Sequence, residues 1–333
     1  MLSYDQDSHI RPMTLSSAQT ALARHHTYTL FSRLFLEGVT AELRPFLSPI
    51  PELSTVLPKK FNADESAAIH HHLFRLNLFP FESIFLATEG LLGGPVANQV
   101  QQMYEQSGYM VNTSATSPDQ IGHELAFLAY LCGAEADAWE DGLENTAVSI
   151  QTHQHTFLQH HLLRWLPPFV LAVEAQGNPF YSILANLVLD FASDHASNAE
   201  IVVNPHRLPD LPSLLENDKT SLKDIANYLI TPAYSGFFLS RDHISHIARE
   251  HQLPRGFGNR SQMLTNLMKT AVQYDLFPTL INTLQATATA FSQKFEHIIQ
   301  THPQLGSHLT PWQDRCLSTI QILEQIKSET MSS

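Results

Sequence analysis

The sequence predicts an all-α protein, and three observations carry that prediction. Apolar residues recur at three- and four-residue steps, two-residue alternation is scarce, and capping residues and prolines mark the starts and stops of the periodic stretches. With 43% apolar and 15% charged residues, the 333-residue chain can bury a substantial core. Its length suggests two domains, or one domain with a large extension.

The first helix is expected over 20–36. Leu22, His26, Thr29, Leu30, Arg33 and Leu34 follow helical steps there, with Tyr28, Phe31 and Phe35 filling the flank. Pro45, Pro49, Pro51 and Pro58 would break any long helix over 43–60, and Asp64 can then cap a helix over 65–76. Pro80 and Gly93-Gly94-Pro95 frame an irregular segment, followed by a helix over 96–107.

The stretch Ser117–Leu131, SPDQIGHELAFLAYL, reads as a helix start. Ser117 takes the N-cap, Pro118 the first helical position, and Gln120 completes a capping box. Asp119 falls in the first turn, where a carboxylate complements the helix dipole by about 0.3–1 kcal/mol at an exposed site. At 100° per residue, Ile121, Leu125, Leu128, Cys132, Ala136 and Trp139 form a core stripe opposite Asp119, His123, Tyr130 and Asp137. Glu124 lies near that stripe. A carboxylate there needs a partner, and Arg24, Arg33 and Arg164 are the candidates for an ion pair.

A helix over 152–166 carries Phe157, His161, Leu162 and Trp165 and is expected to end at Pro167-Pro168. Asn178 caps a helix over 179–195. The proline-rich junction at Asn204, Pro205, Pro209 and Pro212 sets the domain boundary, giving 1–204 and 205–333. Further helices are expected over 213–229, 241–251 with Ser240 as cap, 261–274, 278–301 and 311–328. The C-terminal unit is thus a smaller all-helical domain.

The net charge of −13 is concentrated in one region. Both ends of the chain are balanced, whereas residues 76–206 hold fourteen acids and one base, Arg164. Such a field repels nucleic acid and attracts a basic ligand; a merely solubilising acidic surface is the competing reading. No apolar run reaches the roughly 18–20 residues of a membrane span, so no stable membrane insertion is expected. The N-terminal residues lack the apolar core of a secretory signal, which points to the cytoplasm. Cys132 and Cys316 offer neither a disulfide framework nor a thiolate zinc site.

Nineteen histidines raise the question of metal hydrolysis. Adjacent histidines diverge by 100° on a helix, and His123-Glu124 departs from HExxH because Phe127 stands where the second histidine belongs. No metal site, cofactor site or nucleophile motif emerges, and no enzyme is indicated. Helices 241–251 and 261–274 are joined by too long a connection for a helix-turn-helix, so nucleic acid is not an expected partner.

Four segments belong together: Ser117–Leu131; Pro80-Phe-Glu-Ser-Ile-Phe-Leu86 with Tyr104 and Gly108 downstream; His161-Leu-Leu-Arg-Trp-Leu-Pro167 with Phe169; and Pro179-Phe-Tyr181. Together they resemble the TorD/DmsD family of molybdoenzyme maturation chaperones. The likeness spans about residues 20–200 in matching order. It implies a TorD-like helical bundle that binds the twin-arginine signal peptide and apo form of a molybdopterin-dependent oxidoreductase until its cofactor is inserted. Carried over by position, Asp119, Gln120, His123, Trp165 and Pro167 belong to the peptide-binding region, with Gln120 replacing the family's usual histidine. Ser117, Pro118, Glu82, Tyr104, Glu124 and His161 match motif positions whose role is structural. Residues 205–333 lie outside the family fold; contact with the client, dimerisation and covering of the groove all stay open, as does a generic helical interaction module.

Overall fold

A computed structural model describes residues 16–88, 92–111, 116–197, 207–215 and 220–332. Among them no strand occurs; helices account for the architecture, with one isolated antiparallel bridge between Phe81 and Gln120. Helix α1 (Ser17–Leu36) starts at a capping box between Ser16 and Gln19 and buries Tyr28, Phe31, Leu34 and Phe35. The prolines after it allow two short helices, α2 (Arg44–Leu47) and α3 (Pro51–Ser54), each with its proline at the start, where a missing N–H costs nothing. In α4 (Ala63–His71) the cap is Asn62 rather than Asp64: its side chain accepts from the N–H groups of Asp64 and Glu65. A π-helical turn, His72–Asn77, continues it.

Helix α5 (Glu82–Leu86) lies inside the segment expected to be irregular. All five of its residues are buried, so packing rather than propensity sustains it. Helix α6 (Gly94–Gln106) leads to the central α7 (Ile121–Glu140), which packs lengthwise against α1. The two helices cross closely at Gly122, where an added Cβ would lie 2.5 Å from Leu36 Cγ, and Ser32 Oγ donates to the Gly122 carbonyl. The next helix is longer than expected: α8 (Glu144–Phe157), a π-helical turn (Leu158–Leu162) and α9 (Leu163–Glu174) run on continuously.

Pro167 and Pro168 therefore lie inside α9 instead of ending it. Pro168 cannot donate to the Arg164 carbonyl, and that carbonyl accepts from Trp312 Nε1 at 2.9 Å instead. Helix α10 (Pro179–Ser197) begins under the expected Asn178 cap, which accepts from the Tyr181 N–H.

The boundary at 204/205 lies outside the described residues. Beyond it come α11 (Leu222–Ile230), α12 (Pro232–Ser235), α13 (Arg241–Glu250), α14 (Arg260–Gln273), α15 (Phe277–Thr301) and α16 (Gly306–Ser332). Residues 213–215, expected to open the first of these, are not helical. The C-terminal helices share one continuous apolar core with the N-terminal ones. Phe238 stacks on Phe85 of α5, and the Arg260 guanidinium sits 4.2 Å from the centre of the Phe238 ring. Asp242 accepts from His72 and Asn77 at the turn after α4. Gly236, at φ +85°, lies so close to α16 that a Cβ would meet Cys316 N and the Trp312 carbonyl inside 3 Å.

Candidate functional site

The signature residues converge, but on a buried polar cluster rather than an exposed rim. Residues 117–120 form a turn that ends at Gln120, and α7 starts at Ile121 with Gln120, not Ser117, as the cap: its side chain accepts from the Gly122 N–H. The expected capping box of Ser117 and Gln120 is therefore absent. Asp119, expected in an exposed first turn, is fully buried. Its carboxylate accepts from the Ser83 N–H at 2.8 Å and from the Ser117 hydroxyl, which ties the turn to the start of α5. The turn is held further by the Tyr104 hydroxyl, which donates to the Pro118 carbonyl at 3.0 Å.

Beneath the turn lie two more carboxyl groups. Glu82 pairs with His161 Nδ1 at 3.0 Å, and both side chains are buried. Glu124 has no arginine partner among the described residues. It accepts from Trp165 Nε1 at 3.2 Å, while Arg33, one of the expected partners, is engaged by Glu37 and Glu42. Burial pushes the Glu124 carboxyl well above its ordinary value of 4.5, and the charges of Glu82 and Asp119 push the same way. The protonated, neutral form is thereby favoured. This replaces the expected ion pair: at that depth a lone carboxylate is held neutral where no cation reaches it.

Of the residues carried over as peptide-binding, Asp119, Gln120, Trp165 and Pro167 are buried, and Trp165 packs in tilted contact with Phe85 and Phe169. His123 is half-buried, and burial lowers its pKa below 6.5. The cluster can set the shape of the turn and of helices α5, α7 and α9. The histidines hold structural posts: His70 bonds to the Phe35 carbonyl, His195 lies between Tyr28 and Gln154, and His308 meets Gln159. Among the described residues no group of three His, Cys, Asp or Glu side chains converges as metal ligands. Among the described residues, no helix is long and apolar enough to cross a membrane.

Two exposed features complete the picture. At the α7–α8 turn Asp137, Glu140, Asp141 and Glu144 face solvent, whereas Glu135 is buried and accepts from Trp139, Gln151 and Gln154. Across the molecule's other elements, the loop after α3, the first turns of α4 and the start of α10 enclose an open apolar groove of about 310 Å³. Leu57, Phe61, Ile69 and Phe180 line it, with Tyr181 at its base and Glu65 as its one charged residue. The groove was not legible as a site, because its walls come from segments more than a hundred residues apart. One signal points there: Pro179-Phe-Tyr181, one of the four family-like segments, supplies part of the groove's lining.

The family model described as nitrate reductase delta subunit matches residues 44–171. A chaperone protein TorD of Vibrio cholerae serotype O1 (strain M66-2) is 30% identical over 179 residues, covering 51% of this chain and 79% of that protein. One from Vibrio vulnificus (strain YJ016) is 29% identical over 168 residues, covering 48% and 77%. A third, from Shewanella pealeana (strain ATCC 700345 / ANG-SQ1), is 28% identical over 162 residues, covering 44% and 67%.

Proposed function

This chain belongs to the TorD family of chaperones, and from that premise we propose that it captures the twin-arginine signal peptide of a molybdopterin-dependent oxidoreductase. It holds that client in its apo form, in the cytoplasm, until the cofactor is inserted and export can follow. The protein is a chaperone and not an enzyme, so the chemistry required is reversible peptide recognition.

The observation that supports the reading is the uncompensated charge. Residues 76–206 carry fourteen acids against Arg164, and Arg164 is itself half-buried and donates to the His160 carbonyl. The exposed acids at the α7–α8 turn therefore have no base of their own region to neutralise them. A peptide with two arginines and an apolar run is drawn to such a field, and guanidinium groups bind carboxylates in a forked geometry that ammonium groups do not match. In this reading His123 is the member of the carried-over set placed to meet a ligand. Asp119, Gln120, Trp165 and Pro167 shape the surface from beneath.

Calorimetric titration with a twin-arginine peptide and a twin-lysine control, each at low and high salt, tests the proposal. Tighter binding of the arginine peptide that weakens with salt is expected. Absence of binding, or binding indifferent to both salt and arginine, would refute it.

A further inference from the structure

We propose that the groove between the α3–α4 loop, α4 and the start of α10 is a docking site for the apolar stretch of a bound peptide with a flanking cation. The inference rests on the peptide-capture reading above and assigns that peptide a specific place. The groove's volume, about 310 Å³, is at the lower end of the roughly 300–1,000 Å³ of ligand sites and suits a few side chains rather than a folded partner.

Three observations select the occupant. The walls are apolar: Leu57, Phe61, Ile69 and Phe180 face the space, and Ile69 is 37% exposed on a helix that buries none of its own residues fully. The base carries an unspent donor. Tyr181 is 2% exposed, and its hydroxyl, with the Val39 main chain beside it, has no acceptor for its proton; a buried unsatisfied donor of this kind is uncommon in a native fold. A main-chain carbonyl of a peptide laid in the groove would supply the acceptor. The third is charge. Glu65 is the single charged residue in the lining and has no salt-bridge partner among the described residues. It stands one helical turn before Ile69, on the same face of α4, so a cation beside an apolar run would meet the two in sequence.

Tyr181 therefore acts as an anchor at the floor, Ile69 and Phe180 as the apolar walls, and Glu65 as the charge that orders the peptide. Neither a purely apolar molecule nor a purely basic one uses all three.

Fluorescence anisotropy of a labelled peptide, two adjacent arginines followed by a leucine run, measures the site in the full chain. Glu65→Gln, Ile69→Glu and Tyr181→Phe are compared with the unaltered protein, with thermal melts confirming that each is folded. Ile69→Glu is expected to weaken binding at least about tenfold, since it places a charge against buried leucines. Tyr181→Phe is expected to weaken it by about two- to tenfold, the worth of one hydrogen bond. Glu65→Gln should weaken it and flatten its salt dependence. Binding by the unaltered protein that is equally tight in Ile69→Glu and Tyr181→Phe overturns the groove while leaving peptide capture intact. No binding by the unaltered protein overturns both. Sedimentation analysis supplies the remaining outcome: a dimer dispersed by Ile69→Glu with peptide affinity unchanged would make the groove an interface between copies, against the proposal.

Discussion

Glu124 shows how a residue chosen for one reason can hold its place for another. Protonated, its carboxyl is close in shape and charge to an amide, so below pH 4.5, where folded and unfolded chains both hold the proton, Glu124→Gln is expected to change stability by no more than about 1 kcal/mol. Because burial raises its folded pKa, the stability it contributes is complete below pH 4.5 and drains away as pH rises through the native value. Glu124→Gln should therefore gain on the unaltered protein as pH rises, and urea melts at two pH values check the sign. Glu82→Gln is a different case, because it removes the carboxylate that buried His161 is hydrogen-bonded to. A loss of about 1–3 kcal/mol is expected in the same melts. Asp119→Asn gives the Ser83 N–H or the Ser117 hydroxyl an amide nitrogen to face in place of an oxygen. It should cost about 1–3 kcal/mol, so peptide affinity and thermal stability would fall together, whereas a direct contact with ligand would lower affinity alone.

At the scale of elements, the helices read best where the local signals were complete. Ser240 and Asn178 cap the helices they were expected to cap, and the apolar spacing over 20–36 produced α1 within three residues of its observed start. The misreadings have two physical sources: a partner distant in sequence overrode a local rule, or one local bond displaced another. Pro167-Pro168 should stop a helix, yet Trp312 takes up the carbonyl that Pro168 leaves free. Ser117 should cap α7, yet its hydroxyl is spent on Asp119, and the start passes to Gln120. The short α5 lacks any local signature and exists because all five of its residues are covered. Trp312→Phe keeps an aromatic ring but removes the donor to the Arg164 carbonyl and part of the buried ring volume. It is expected to cost about 1–3 kcal/mol, measurable by chemical denaturation. Of the candidate site, the residue types were legible as one family signature. Their depth was not, because burial of Asp119 or Trp165 depends on how α5, α7 and α9 stack together.

The whole molecule carries its acid sensitivity in its histidines. His70, His123, His155, His195, His243 and His308 are all shifted below 6.5, in each case chiefly by burial. His195 shows the geometry. Gln154 donates its amide to Glu135 and so turns its oxygen to His195 Nε2, leaving Nδ1 to accept from the Tyr28 hydroxyl. Both ring nitrogens are thus committed in a neutral tautomer that joins α1, α8 and α10, and a second ring proton would face the Tyr28 hydroxyl in place of a lone pair. Nearby Arg24 and His155 add to the burial in opposing the charged form. Each of these rings takes up a proton more readily when the chain unfolds, so their contribution is present above about pH 6.5 and is lost as pH falls through the folded values, to about 4 for His308. Each pH unit of such a depression is worth about 1.4 kcal/mol. The sign is opposite to that of Glu124, and the histidines outnumber it. Stability is therefore expected to fall steeply between pH 6.5 and 4, and urea midpoints taken across that range should show net proton uptake on unfolding. In His308→Gln the amide can still meet Gln159 but does not titrate, so the slope should be shallower; an unchanged slope would mean that His308 adds nothing to the proton uptake.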